Sequence, residues 1–171
     1  MSGARIDQQP PQRLPVLAGV WLTAVTAGLC LLADYGSRPG PRASPAPLWP
    51  ASASLARDLS RPTGLMFLHS HCPCSRASLS ELERLAYDSA QQIDLRVVFT
   101  QPLGVPAGWA QSDLWERAVA NPDWRVVMDP EHHLADQFGV QTSGHLLIYD
   151  SAGRLRYDGG ITPGRGHVGA S

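Results

Sequence analysis

The sequence contains no lysine and very few cysteines. All 14 basic residues of the 171-residue chain are arginines, and with 15 acidic residues they give a formal net charge of -1. A chain without a basic surplus does not attract phosphate backbones, so nucleic acid is excluded as an expected partner. Of the three cysteines, only Cys72 and Cys74 fall outside an apolar run, which excludes a disulfide-rich scaffold. The chain also lacks a phosphate-binding glycine loop and a serine nucleophile elbow, which excludes those nucleotide-binding and hydrolase sites.

One long apolar run lies near the N-terminus. Residues 14–33 carry no charge, and their number matches the ~20 residues that a helix needs to cross a hydrocarbon core of ~30 Å. We predict a transmembrane anchor there, with residues 1–13 in the cytoplasm and the rest of the chain on the extracytoplasmic, periplasmic side. A cleaved signal peptide is the alternative, although the run exceeds the about 7–15 apolar residues usual in such peptides.

The segment after the apolar run is rich in proline and poor in periodic apolar residues. Residues 34–63 are therefore predicted to form an extended, semi-rigid spacer. Residues 64–160 hold the remaining regular pattern, and a hydrophobic content of 43% is sufficient for one packed core. Residues 161–171 form a polar, glycine-rich tail.

Apolar patterns within residues 64–160 alternate between strand and helix. A short apolar run at 64–69 predicts a buried strand, and Leu79, Leu82 and Leu85 recur at helical spacing in a helix that reaches about Ser89. Further strands are predicted at 93–100, 124–128, 145–149 and 154–157, and further helices at 112–120 and 131–140. The order βαβαβαββ predicts an α/β domain with a central mixed sheet flanked by helices.

Cys72 and Cys74 lie where the first strand of this domain passes into its first helix. Pro73 suits the first position of a helix, which makes Cys72 the N-cap residue and places Cys74 in the first turn. The positive end of the helix dipole favours a thiolate, which is the reactive form of cysteine. The pattern therefore predicts a redox dithiol in which Cys72 attacks a disulfide and Cys74 resolves the mixed disulfide.

Two stretches of the chain resemble the thioredoxin superfamily. FLHSHCPCSRASLSELERL is similar to the strand, dithiol and helix of thioredoxins, and FGVQTSGHLLIYDSAGRLRYDGG is similar to their final hairpin. Together with the element order, they make residues 64–160 resemble the membrane-tethered TlpA-like branch and the RedB-like proteins with a Cys-Pro-Cys site. The resemblance implies a thioredoxin fold, a reducing or oxidising dithiol, and protein thiols or disulfides as partners.

The sequence departs from the family pattern in three places. Its two cysteines are separated by one residue, whereas the family motif has two. Gly144 and His145 stand where thioredoxins have a cis-proline and a threonine that face the dithiol, so the resemblance implies a substrate-facing loop at Ser143, Gly144 and His145. The tail at 161–171 stands where a thioredoxin has its last helix, which we expect to be missing here.

Two functional classes use the same cysteines, and a non-catalytic interaction domain is the remaining alternative. The first class is an enzyme, a membrane-anchored thiol-disulfide oxidoreductase that requires no cofactor. The second is a metal-delivery module similar to the copper-binding Sco-type relatives of thioredoxin, with Cys72, Cys74 and His145 as ligands. His69 and His71 could also surround the sulfurs, although a solvated or hydrogen-bonded role is more common for a single histidine.

Overall fold

A computed structural model of the chain describes residues 13–38, 44–86 and 92–163. The chain divides into two compact units, residues 1–38 and residues 39–171. In the first unit, helix α1 spans Arg13–Ser37 and contains the predicted anchor. At 1.5 Å per residue, its 25 residues extend about 38 Å, which exceeds the ~30 Å of a hydrocarbon core. By length and composition α1 can cross a membrane, a test that a signal sequence also passes.

The polar side chains within α1 are satisfied by the helix itself. The Thr23 hydroxyl donates to the Gly19 carbonyl at 2.9 Å, and the Thr26 hydroxyl donates to the Leu22 carbonyl at 2.8 Å. These local bonds suit an apolar surrounding, because a hydroxyl there finds no water to bond.

The second unit confirms the predicted order βαβαβαββ. Its strands are β1 (Thr63–His69), β2 (Asp94–Gln101), β3 (Trp124–Pro130), β4 (His145–Tyr149) and β5 (Leu155–Gly160). Its helices are α2 (Pro73–Ala86), α3 (Asp113–Val119) and α4 (His133–Phe138). The predicted helix end at Ser89 lies outside the described residues, and so does the stretch 164–171, where the expected loss of the last thioredoxin helix falls.

The five strands form one mixed sheet in the order β3-β2-β1-β4-β5. β1 pairs in parallel with β2, and β2 with β3, whereas β4 is antiparallel to both β1 and β5. β1 is therefore the central strand, which explains its continuous apolar sequence, because both of its faces are covered. The carboxyl ends of β1, β2 and β3 meet at one edge of the sheet, and the cysteines follow β1 there.

Alternating residues of β1 contribute to two cores on opposite faces of the sheet. The first core contains Met66 and Leu68 of β1 with the leucines of α2 and α3, among them Leu82. The second contains Phe67 of β1 together with Phe138 of α4. Since the two sets alternate along the strand, α2 and α4 lie on opposite faces of the sheet.

Part of the predicted spacer packs on the second core. The Trp49 ring lies edge-on to the rings of Phe138 and Tyr149, with centroid distances of 4.9 and 5.3 Å. The Tyr149 hydroxyl donates to the Ala46 carbonyl at 2.8 Å. Trp49, Ala53 and Leu55 of the predicted spacer therefore pack against the second core.

Candidate redox site

The junction between β1 and α2 carries both cysteines of the second unit. Cys72 directly precedes α2, and Cys74 is in its first turn, as the position of Pro73 predicted. The Cys72 amide donates to the His69 carbonyl, and its carbonyl accepts from the Ser75 amide, each at 3.0 Å. Both cysteines are half-exposed free thiols.

A cluster of hydroxyl groups joins β1, α2 and the loop before β4. The His69 amide lies 3.0 Å from both the Ser75 and the Ser143 hydroxyl oxygens, which both accept from it. The two hydroxyls are 2.6 Å apart and hydrogen-bonded to each other. Ser143 was expected beside the dithiol from the resemblance, whereas Ser75 was not singled out, because its partners are remote in sequence.

Gly144 brings the loop before β4 into close contact with α2. Its φ of +84° is in the left-handed region, and its amide donates to the Phe67 carbonyl at 2.8 Å. A Cβ at this position would lie well inside 3.0 Å of the Ser78 hydroxyl oxygen and 4.0 Å from the Cys74 carbonyl oxygen. Only glycine fits here without rearrangement, so Ser143 and Gly144 lie against the first two turns of α2.

His145 is bonded to Asp158 and Thr142 in the structure, whereas the resemblance implied a place in the loop that faces the dithiol. It pairs with Phe67 of the second core, while the next residue, Leu146, is in the first core with α2. Because strand residues alternate between faces, the His145 ring lies on the face opposite α2. There its Nε2 lies 2.5 Å from Asp158 Oδ1, and its Nδ1 lies 3.4 Å from the Thr142 hydroxyl.

The proposed copper ligands are consequently not brought together. Within residues 13–38, 44–86 and 92–163, the structure forms no group of three or more histidine, cysteine or acidic side chains that could hold a metal ion. Cys72 and Cys74 are close to each other at the start of α2, and His145 is bonded to Asp158 of β5.

The loop between β2 and α3 covers the segment that leads to Cys72. The Trp109 ring lies edge-on to the rings of His69 and His71, at centroid distances of 5.1 and 4.5 Å. His71 Nε2 is 3.1 Å from the Trp109 carbonyl oxygen, and the Ser70 hydroxyl donates to the Ala110 carbonyl at 2.7 Å. The packing partners of this tryptophan are thus the two histidines before the dithiol.

Cys72 lies between two cavities. The larger, of about 660 Å³, has apolar walls from β1, α2 and α4 and a polar rim that contains three histidines and Asp136. The histidines of this rim are His69, His71 and His132. The smaller cavity, of about 420 Å³, is lined by the start of α2 and by α3, with Arg76 and Asp113 among its residues. Cys72 lines both cavities, whereas Cys74 lines neither.

Two groups beside Cys72 have perturbed acidities. Burial lowers the pKa of His69, and the nearby His71 and His132 lower it further, so this ring is neutral at neutral pH. In the smaller cavity, the hydrogen bond from the Arg76 guanidinium lowers the pKa of Asp113, and the two groups form an ion pair at 2.6 Å. This pair is largely exposed to solvent, so we assign it little stabilising energy.

Comparison with known proteins finds no matching family model and no matching curated protein. Among solved structures, the chain is similar to a hypothetical protein from Sinorhizobium meliloti, with 18% identity and a TM-score of 0.56 over 75% of this chain and 78% of that one. It is also similar to an uncharacterized conserved protein from Geobacillus kaustophilus, with 16% identity and a TM-score of 0.52 over 76% and 74%. A thioredoxin-like protein solved in its oxidized form aligns with 16% identity and a TM-score of 0.50 over 70% and 86%.

The chain has a thioredoxin-like fold. The central mixed sheet, the cysteines after its middle strand and the closing hairpin are the parts of this fold that the sequence predicted. In the thioredoxin-like domain of this chain, the loop before β4 approaches the start of α2 through Ser143 and Gly144, and His145 is bonded to Asp158.

Proposed function

We propose that this protein is a thiol-disulfide oxidoreductase that exchanges disulfides with protein partners through Cys72 and Cys74. The observation that carries the proposal is the difference between the two cysteines. Cys72 is half-exposed at the start of α2 and lines both cavities, whereas Cys74 is inside the first helical turn and lines neither. A partner disulfide can therefore approach the Cys72 sulfur first.

The reaction proceeds in two exchange steps. The Cys72 thiolate attacks one sulfur of the partner disulfide, a Cys72–partner disulfide forms, and the other partner sulfur leaves as a thiolate. The Cys74 thiolate then attacks the Cys72 sulfur, which forms the Cys72–Cys74 disulfide and releases the second partner thiolate. The partner gains two electrons and two protons, and the dithiol loses them. The reverse sequence transfers a disulfide to a reduced partner.

The start of α2 supports the first step. Pro73 occupies the first position of α2 and has no amide hydrogen, and the Ser75 amide in the first turn donates to the Cys72 carbonyl. The partial positive charge at a helix N-terminus stabilises the negative charge that passes between sulfurs during disulfide exchange at the residue directly preceding it. Cys72 is the residue at that position.

Helix α1 supports attachment to a membrane as a further part of the proposal. It is long enough to span the hydrocarbon core, and its apolar side chains are exposed to their surroundings. The dithiol domain would then face the extracytoplasmic side, where disulfides form and persist. No metal or cofactor is required for the exchange chemistry.

The test is a redox titration of the full chain in detergent, with Cys30→Ser introduced so that only the dithiol reacts. We expect Cys72 and Cys74 to lose two hydrogens together when the ratio of oxidised to reduced glutathione is raised, as measured by mass spectrometry. Cys74→Ser is the matched control, which can form only a glutathione adduct. Thiols that stay reduced in fully oxidised glutathione, or stoichiometric copper bound after anaerobic purification, would contradict the proposal.

A further inference from the structure

We propose that the His69 side chain donates a hydrogen bond to the partner sulfur that leaves when Cys72 attacks. This inference rests on the proposed function and assigns a residue of this chain to its first chemical step. The cavity that His69 shares with Cys72 carries the argument, together with the hydrogen bonding of the ring.

The surroundings of His69 determine which ring nitrogen carries the proton. The His71 amide is directed at His69 Nδ1 at 3.4 Å, so Nδ1 is the acceptor and the neutral ring carries its hydrogen on Nε2. Contacts with Trp109 and His71, at centroid distances of 5.1 and 6.3 Å, hold the ring in place. The Nε2 hydrogen is therefore available as a donor.

The larger cavity connects His69 with the reacting cysteine. His69 and Cys72 line the same space of about 660 Å³, so a disulfide that enters it and is attacked by Cys72 has its leaving sulfur inside. The other titratable groups of this cavity are His71, His132 and Asp136. His71 Nε2 already bonds the Trp109 carbonyl, and Asp136 is an acceptor that repels a thiolate. His69 combines a hydrogen on Nε2 with a place in the cavity that Cys72 lines.

The ring acts as a hydrogen-bond donor and transfers no proton. Its pKa is lowered by burial, by His71 and by His132, so it stays neutral at neutral pH. When the Cys72–partner bond forms and the partner disulfide breaks, the electron pair of the broken bond stays on the leaving sulfur. The Nε2 hydrogen stabilises this charge, and the departing thiolate then takes its proton from water.

The assignment predicts a dependence on the leaving group that a structural role would not produce. An alkyl thiolate such as that of hydroxyethyl disulfide is a poor leaving group and gains from a hydrogen bond, whereas the thiolate of dipyridyl disulfide leaves readily without one. Both probes are small and uncharged. In the full chain with Cys30→Ser and Cys74→Ser, only the attack by Cys72 is observed.

We expect His69→Leu to slow the reaction with hydroxyethyl disulfide about tenfold and the reaction with dipyridyl disulfide less than about twofold. His69→Gln, which keeps a donor near the Nε2 position, should recover most of the loss. His133→Leu is the control, because this histidine of α4 is exposed and its Nε2 lies 3.8 Å from Glu131 Oε2. Circular dichroism of each variant establishes that it is folded.

Equal slowing of His69→Leu with both disulfides would show that His69 only shapes the site. Unchanged rates with both would show that His69 does not take part in the reaction. Either result overturns the inference and leaves the proposed function standing. A wild-type Cys72 that reacts with neither disulfide overturns the proposed function and the inference with it. A His69→Gln variant as slow as His69→Leu with the alkyl disulfide also overturns the donor role.

Discussion

Replacement of Gly144 by alanine tests whether the loop before β4 is fitted to the dithiol helix. Two separate losses of unfolding free energy are expected, one from the backbone and one from a steric overlap. The backbone of Gly144 has a φ of +84°, and an L-residue in this left-handed region costs roughly 1–2 kcal/mol. The new Cβ would also overlap the Ser78 hydroxyl, which is 2% exposed and has little room to move. Overpacking of this kind costs typically 1–3 kcal/mol, so the variant should lose about 2–5 kcal/mol of unfolding free energy.

Gly104 provides a matched control for the backbone cost. Its φ is +77°, and a Cβ there would meet no atom within 4 Å, so Gly104→Ala should lose only the ~1–2 kcal/mol of left-handed strain. The cost of the contact with Ser78 is then the difference between the losses of unfolding free energy in Gly144→Ala and Gly104→Ala. Ser78→Ala should remove it in the Gly144→Ala background, because the remaining Ser78 Cβ would be at an ordinary 3.4 Å.

The assay is urea unfolding of the full chain in detergent, followed by tryptophan fluorescence, with the free energy obtained by linear extrapolation. A Gly144→Ala variant no less stable than Gly104→Ala would refute the close contact between the loop and α2. If Ser78→Ala does not restore unfolding free energy in the Gly144→Ala background, the loss of stability does not come from the contact with the Ser78 hydroxyl. Activity should fall with the contact cost, because Ser143 is bonded to Ser75 beside the cysteines.

Three further predictions concern the redox potential, acid stability and membrane attachment. A disulfide that closes over the single residue Pro73 is strained, so its reduction potential should lie nearer the ~-180 mV of an isomerase than the ~-270 mV of thioredoxin. The gap between these two potentials corresponds to ~4 kcal/mol. A glutathione titration that gave a potential at or below that of thioredoxin would contradict this prediction. Because the folded-state pKa of His69 is lowered, stability should be complete above the unfolded value of 6.5 and decline as the pH falls below it. The unfolding free energy of His69→Gln should decline less steeply than that of the wild type as the pH falls. An identical decline would mean that the His69 ring does not contribute to the pH dependence of stability. If α1 is an uncleaved anchor, the protein should remain in the membrane fraction after a high-salt wash with its N-terminus intact, and soluble protein that begins after residue 33 would establish cleavage instead.

The dithiol and the element order were predictable because they depend on local signals. Pro73 fits a helix start, and the continuous apolar run of β1 requires burial on both faces, so the strand, the cysteines and the helix follow from adjacent residues. Leu82 is buried as its helical spacing predicted, whereas Leu85, assigned to the same stripe, is 48% exposed. The end of an apolar stripe depends on what the neighbouring elements cover, and no local pattern contains that information.

The surroundings of the dithiol were less predictable because they depend on strand register and on contacts remote in sequence. The contact between His145 and Asp158 depends on how β4 and β5 pair, which no local pattern of the sequence contains. Ser75 and Ser143 are 68 positions apart, so no periodicity connects them. Trp49 belongs to a proline-rich stretch, and its burial against Phe138 follows from the tertiary fold alone.

The most direct test of the central claim is the trapping of partner disulfides by single-cysteine variants. The full chain with Cys30→Ser and either Cys72→Ser or Cys74→Ser would be incubated with a disulfide-bonded peptide and followed by mass spectrometry without reductant. If Cys72 attacks and Cys74 resolves, Cys74→Ser should accumulate a long-lived mixed disulfide, and Cys72→Ser should accumulate almost none. Equal trapping by both variants, or trapping by Cys72→Ser alone, would contradict the assigned roles.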